Sequence, residues 1–280
     1  MSSTESVQRN IFMVNGRPRM LRGVAITSGS TRLAELAARI GFDAVWIEME
    51  HAGTDFSQVE QLCMAIEAGG GIPVVRIPDG DRHHVLRALE VGGQMVVVPM
   101  INTAEQAAAV VRYGKFPPLG SRGFNLRSRG LLYGLNGHEK SFLKANSETH
   151  LFAQIETREA IDNLDAICAV DGLSGVLIGP GDLSSSYGRP GDFQNRDMIL
   201  IVTQAIERAK ALGKRVGIFL GPGPMLEAAM AAGCDIAFLT TDISSLVTSW
   251  TQLLHSFQTD DGVRPIRAAG HDNLSARVLK

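Results

Sequence analysis

Several features are scarce in this 280-residue chain, and each scarcity removes a class of protein. Cysteine occurs three times, as Cys63, Cys168 and Cys234, each inside or beside an apolar helical pattern. An odd set so placed reads as reduced core residues, not as a disulfide framework or a metal knuckle. No apolar run approaches the roughly 18 residues of a membrane span. The opening MSSTESVQRN lacks the basic start and apolar core of a secretory signal. The expectation is a soluble, cytoplasmic protein without a membrane partner. The formal net charge is only -2 and the 27 basic residues are scattered, so no nucleic-acid surface is expected. Lysine is confined to Lys115, Lys140, Lys144, Lys210, Lys214 and Lys280, in loops, helices or strand starts, which offers no Schiff-base lysine inside a core. A G-x-G-x-x-G after the first strand, the dinucleotide fingerprint, is also missing.

What is present is alternation. Short β-rich runs fall at 23–27, 42–48, 72–77, 95–100, 151–156, 175–178, 215–220 and 235–240. Helical patterns lie between them near 31–40, 56–69, 81–90, 103–113, 158–168, 197–212, 224–232 and 243–257. Eight strands each followed by a helix predict an α/β fold, the (β/α)8 TIM barrel, as one domain over 1–280 with a core from about Arg22 to Phe257 and a polar tail from 258. The phrases IGFDAVWIE, VGGQMVVVPM and AAGCDIAFLT repeat one device, a glycine ending a helix just before a strand. Residues 115–150, rich in Gly and Arg, show no clear period and read as an active-site loop or a subunit contact.

In such a barrel the chemistry gathers where strands run out into the following loops. Those positions hold Glu48, Glu50 and His51, then Arg76, then Gln154 and Glu156, then Asp182, then Asp242. Gln154 and Glu156, two apart, share one face of their strand. Two bland readings compete: Glu156 as a first-turn residue or cap of the next helix, and Asp182 as an N-cap. Taken together, Glu156 and Asp182 offer hard oxygen ligands suited to Mg²⁺ or Mn²⁺, whereas Zn²⁺ would want more His or Cys. His51 has Glu48 or Glu50 to hold its imidazole. Arg76, among Val74, Val75, Ile77 and Pro78, needs an anionic partner from the protein or from a substrate. His83, His84, His138, His150, His255 and His271 read as structural or solvated. The run GPGPM at 221–225 is suited to a phosphate at a helix start, but Asp242 nearby would repel one.

EMEHA at 48–52, PVVRIP at 73–78, VPM at 98–100, FPPLGSRG at 116–123, QIETREAIDNLDAI at 154–167 and GPGDLS at 179–184 resemble the HpcH/HpaI aldolase family, over nearly the whole barrel. The resemblance implies a metal-dependent class II pyruvate aldolase that cleaves a 4-hydroxy-2-oxo acid to pyruvate and an aldehyde. Oxaloacetate decarboxylation or a macrophomate-synthase-like reaction through the same enolate is the alternative. By similarity, Glu156 and Asp182 hold Mg²⁺, Mn²⁺ or Co²⁺, while Gln154, Asp182 and the backbone around Gly181 contact pyruvate. Arg76 steadies the enolate oxygen, His51 is the base, with Glu48 as its dyad partner, and Glu90 reaches a neighbouring subunit's site. The family's usual assembly is a hexamer of dimers that exchange the last helix. The chain departs from the commoner pattern at Glu48, where many members have Asp, and at Gly181, where many have Ala. The loop FNLRSRGLLYG at 124–134 is expected to select the acceptor.

Overall fold

A computed structural model describes residues 11–14, 17–135 and 137–257. A small hairpin, β1 (Met13–Val14) and β2 (Arg17–Pro18), precedes eight parallel strands that close on themselves. These are β3 (Leu21–Ile26), β4 (Ala44–Glu48), β5 (Ile72–Arg76), β6 (Met95–Val98), β7 (His150–Ile155), β8 (Gly175–Ile178), β9 (Arg215–Phe219) and β10 (Ile236–Thr241), with β10 pairing β3 to complete the ring. All eight fall within the predicted runs to one or two residues. The helices are α1 (Thr31–Arg39), α2 (Phe56–Ala68), α3 (Arg82–Glu90), α4 (Ala104–Gly114), α5 (His138–Glu148), α6 (Arg158–Asp162), α7 (Leu164–Cys168), α8 (Pro180–Ser186), α9 (Arg196–Ala211), α10 (Pro224–Ala231) and α11 (Asp242–Ser256).

The strands read as continuous apolar runs because a parallel barrel strand is covered on both faces. Alternate residues point inward, where Trp46, Val74, Val97, Phe152, Leu177 and Phe238 pack the barrel interior with none of their surface exposed. Room for these rings comes from glycine: a Cβ on Gly23 would lie 2.3 Å from the Phe238 ring. The outward set packs under the helices, which begin on side-chain caps from Ser30, Asp55, Thr103, Thr157 and Asn195. The glycines of the three repeated phrases, Gly41, Gly92 and Gly233, all have positive φ, the left-handed conformation that turns a helix end toward the next strand.

Three details differ from the sequence expectation. Residues 115–150 are not wholly irregular, since they hold a 3₁₀ segment at Arg129–Gly134 and helix α5. The helix predicted over 158–168 breaks at Asn163, whose side chain turns to donate to the Asn102 carbonyl at 2.8 Å. His150 opens β7 and is part-buried, so it is not a loop residue. The chain divides into two compact units, 1–243 and 244–280; the barrel is in the first, and residues 244–256 of the second are helical. The predicted polar tail from 258, with His271, lies outside the described residues. No described helix is long and apolar enough to cross a membrane.

Candidate active site

Strand register builds the site from below. Glu48 ends β4 opposite Arg76 at the end of β5, both on the inward face and one layer above Trp46. The Trp46 indole donates to Glu48 Oε2 at 2.9 Å, and the Arg76 guanidinium carbon sits 5.3 Å from the indole centre. Arg76 Nε and Nη2 meet Glu48 Oε2 at 2.8 and 2.7 Å, and Nη1 meets Glu50 Oε2 at 3.0 Å. The anionic partners of Arg76 are therefore protein carboxylates. Burial opposes the charge on Glu48, but Arg76 and the donors from His51 N–H and Trp46 outweigh it and hold its carboxyl below the usual glutamate range.

Glu48 is fully committed, which corrects its expected role as the imidazole's partner. Its Oε1 accepts from the backbone N–H of Glu50 at 2.7 Å and of His51 at 3.0 Å, so it shapes the turn that carries His51 and does not reach the ring. The nearer carboxylate is Glu50, with Oε2 3.8 Å from His51 Nε2 on an imidazole 64% exposed to the mouth. Burial pushes the Glu50 carboxyl up, against the pull of Arg76 and His51, with Glu156 and Glu48 adding to the rise.

Two strands along from Arg76, Glu156 follows β7, nine-tenths or more buried. The helix cap of α6 is Thr157, which accepts from Ala160 N at 3.0 Å, so Glu156 is not the cap. Its Oε1 instead accepts from Met100 N at 2.7 Å, and its Oε2 faces the Gln154 amide nitrogen. Met100 holds φ 56°, a strained conformation for a side chain of that size, and so aims its N–H at the carboxylate. Glycine at 179 leaves the carboxylate its place: a Cβ there would lie 2.8 Å from Glu156 Oε2 and push it aside. Both residues lie in sequence motifs, VPM and GPGDLS, whose residue types do not betray these duties.

Asp182 is the third residue of α8, exposed, in a helix whose N-cap is Gly179, so it is not the cap either. Burial raises the Glu156 carboxyl above the ordinary range; Met100 N–H and Gln154 offset part of this, and the charge of Asp182 adds to it. Among the described residues no three His, Cys, Asp or Glu side chains stand together as a closed metal cage. The donors on hand are two carboxylates and the Gln154 amide oxygen, which is buried and has no hydrogen-bond partner among the described residues. An all-oxygen, incomplete set suits a hard divalent cation that keeps water or substrate in its remaining positions.

Two expected residues stand apart from this group. Glu90 ends α3 at the opposite rim, where the helix leads into β6, and its carboxylate takes Arg122 Nη2 at 2.8 Å and Asn125 Nδ2 at 3.2 Å. Within one chain it does not join His51. Asp242 accepts from Thr27 N–H and hydroxyl, each at 2.9 Å, and from Ser28, which makes it a brace between the last and first strands.

The protein is thus a (β/α)8 barrel with an arginine, an exposed histidine and an oxygen-donor acid pair at the C-terminal rim. The chain belongs to the HpcH/HpaI aldolase/citrate lyase family, whose model matches residues 23–248, and is a carbon–carbon lyase. It is 36% identical over 239 residues to 2-keto-3-deoxy-L-rhamnonate aldolase of Klebsiella pneumoniae, covering 85% of this chain and 89% of that one. It is likewise 36% identical over 242 residues to a hydroxypyruvate/pyruvate aldolase of Rhizorhabdus wittichii, covering 85% and 94%. A solved HpcH/HpaI aldolase/citrate lyase family protein from Burkholderia cenocepacia superposes with a TM-score of 0.81 at 29% identity, over 91% of this chain and all of that one.

Proposed function

We propose that the protein reversibly cleaves a 4-hydroxy-2-oxo acid into pyruvate and an aldehyde, with a divalent cation, Mg²⁺, Mn²⁺ or Co²⁺, held by Glu156 and Asp182. The observation that carries this reading is the shared inward face of Gln154 and Glu156 at the rim, two strands along from a clamped Arg76. When bound, the cation supplies a Lewis acid toward the carboxylate and 2-oxo oxygens of the substrate. Arg76, fixed by Glu48 and Glu50 before substrate arrives, presents preorganised positive charge to the oxygen that becomes negative in the enolate. Gln154 and the backbone at Gly181 orient the pyruvate portion. His51, open to the mouth and beside Glu50, takes the proton of the 4-hydroxyl as the carbon–carbon bond breaks and its electron pair passes to the enolate; the enolate carbon then takes up a proton to give the methyl group of pyruvate, and the reverse direction runs the same two proton transfers backwards.

The working unit is a homo-oligomer of the hexameric kind, in which Glu90 of the partner subunit supports the site. Trp250, Leu253, Leu254 and Phe257, exposed in the single chain on and just after the last described helix, are the kind of apolar surface that such a helix buries when it is exchanged onto a partner. Supplying Mg²⁺ with oxaloacetate, and separately with pyruvate plus glycolaldehyde or succinic semialdehyde, distinguishes aldol chemistry from decarboxylation. Aldol product from the second mixture is expected. No product from it, with or without decarboxylation in the first, would overturn the aldolase reading.

A further inference from the structure

The wall of the mouth that faces Glu156 belongs to β3. In the closed ring β3 stands four strands from β7 in either direction, so the two are opposite. Leu21 and Ala25 of β3 pack into the barrel interior, and the same alternation turns Thr27, the residue after the strand's end at Ile26, inward one layer above Ala25. Thr27 is half-buried there.

The hydroxyl of Thr27 is a committed donor. It donates to Asp242 Oδ1 at 2.9 Å, and the Ser28 hydroxyl donates to Oδ2 of the same carboxylate. Burial opposes the charge on Asp242, but the donors from Ser28 and Thr27 and the Ile243 N–H outweigh it and hold its carboxyl below the usual aspartate range. With its proton turned to Asp242, Thr27 Oγ1 keeps lone pairs that meet no donor among the described residues. Thr27 can accept a hydrogen bond from a ligand and has none to give.

The charges around it point the same way. The turns that leave β3, β9 and β10, residues 27–30, 220–223 and 240–242, read TSGS, LGPG and TTD, with a carboxylate and no Lys, Arg or His. Arg76 is already held by Glu48 and Glu50. The loop at 124–134 packs, within one chain, at the ends of α2 and α3, where Arg129 pairs with Glu67 and Gly130 lies against the Leu89 carbonyl. It brings no cation of its own chain to this wall.

We propose that Thr27, backed by Asp242, selects the aldehyde: a neutral hydroxyaldehyde whose hydroxyl donates to Thr27 Oγ1, over aldehydes that end in a carboxylate or phosphate. The inference rests on the aldolase reading above and names the class of its second substrate. A hydroxyl can donate to Oγ1, whereas an ionised carboxylate or phosphate can only accept and would meet lone pairs backed by a buried anion.

The test starts from exchange of the pyruvate methyl protons in D₂O with Mg²⁺, which needs no aldehyde. Absent exchange would sink the aldolase reading and this inference with it; exchange followed by the wrong ranking of aldehydes would sink this inference alone. With exchange present, kcat/KM is compared for glycolaldehyde, its deoxy analogue acetaldehyde, and succinic semialdehyde. Glycolaldehyde should exceed each of the others by about tenfold or more. Thr27→Val keeps the shape but removes the oxygen, so the preference for glycolaldehyde over acetaldehyde should fall by about tenfold, a ratio that does not depend on how much of the variant is folded. Thr27→Ser, which retains the oxygen, should retain the preference. If Thr27→Val does not fold, the wild-type ranking still decides. Acetaldehyde or succinic semialdehyde used as well as glycolaldehyde, or a ratio unchanged in Thr27→Val, would each overturn the proposal.

Discussion

Arg76 and Glu48 face each other in register on neighbouring strands and meet through one carboxylate oxygen and two guanidinium nitrogens, over the face of Trp46. The pair fixes the arginine before any substrate arrives. It also means that removing the arginine strands a buried carboxylate.

Arg76→Ala is therefore expected to cost about 3 to 5 kcal/mol of stability, the scale for breaking a buried pair from one side, and to lower the aldol rate by two or more orders of magnitude. Glu48→Gln on that background should return part of the stability and none of the rate. A denaturation cycle over the two single variants and the double variant measures the coupling. Independent, additive losses would show that the pair is not a unit.

Stability should depend on pH through His150. Burial, with the charges of Lys115 and Arg215 nearby, pushes its imidazole down to about 4. The unfolded chain takes up that proton near pH 6.5, so between about pH 6.5 and 4 the unfolded state binds more protons and stability falls as pH falls. The contribution, about 3 kcal/mol, is fully present above pH 6.5 and gone below about 4. Urea melts across this window should show the slope in the wild type and a flatter one in His150→Phe; equal slopes would contradict the assignment.

Met100 tests the positioning of Glu156. Its left-handed backbone suits glycine, so Met100→Gly should be neutral or slightly stabilising and keep the N–H on Glu156. Met100→Val puts a β-branched side chain at the same φ and should cost about 1 to 3 kcal/mol while weakening Mg²⁺ binding. Equal metal affinity in both variants would show that this N–H does not set the carboxylate.

Much of this was legible in the sequence, for physical reasons. Strand periodicity put Gln154 with Glu156, and helix-ending glycines such as Gly92 marked where three of the strands began, which supported the eightfold count and so the residues at the mouth. What the sequence could not supply was saturation and spacing. Both Glu48 and Glu50 flank His51 closely enough to serve it, and only the Trp46 and Arg76 contacts show that Glu48 is taken. Thr157 rather than Glu156 caps α6, a choice between neighbours that composition does not make. The 3₁₀ segment and α5 lacked a signal because much of their surface is exposed: Leu135 and Leu143 face solvent, which blurs the apolar period.

The central claim is that Glu156 and Asp182 hold a divalent cation on which enolate formation depends. Exchange of the pyruvate methyl protons in D₂O reads that step without any aldehyde acceptor. Wild-type protein with Mg²⁺ should catalyse the exchange, lose it in EDTA and recover it when Mg²⁺, Mn²⁺ or Co²⁺ is returned in excess. Glu156→Gln, folded by circular dichroism, should stay silent under all of these conditions. Exchange that continues undiminished in EDTA, or a covalent pyruvate adduct trapped by borohydride, would contradict the account.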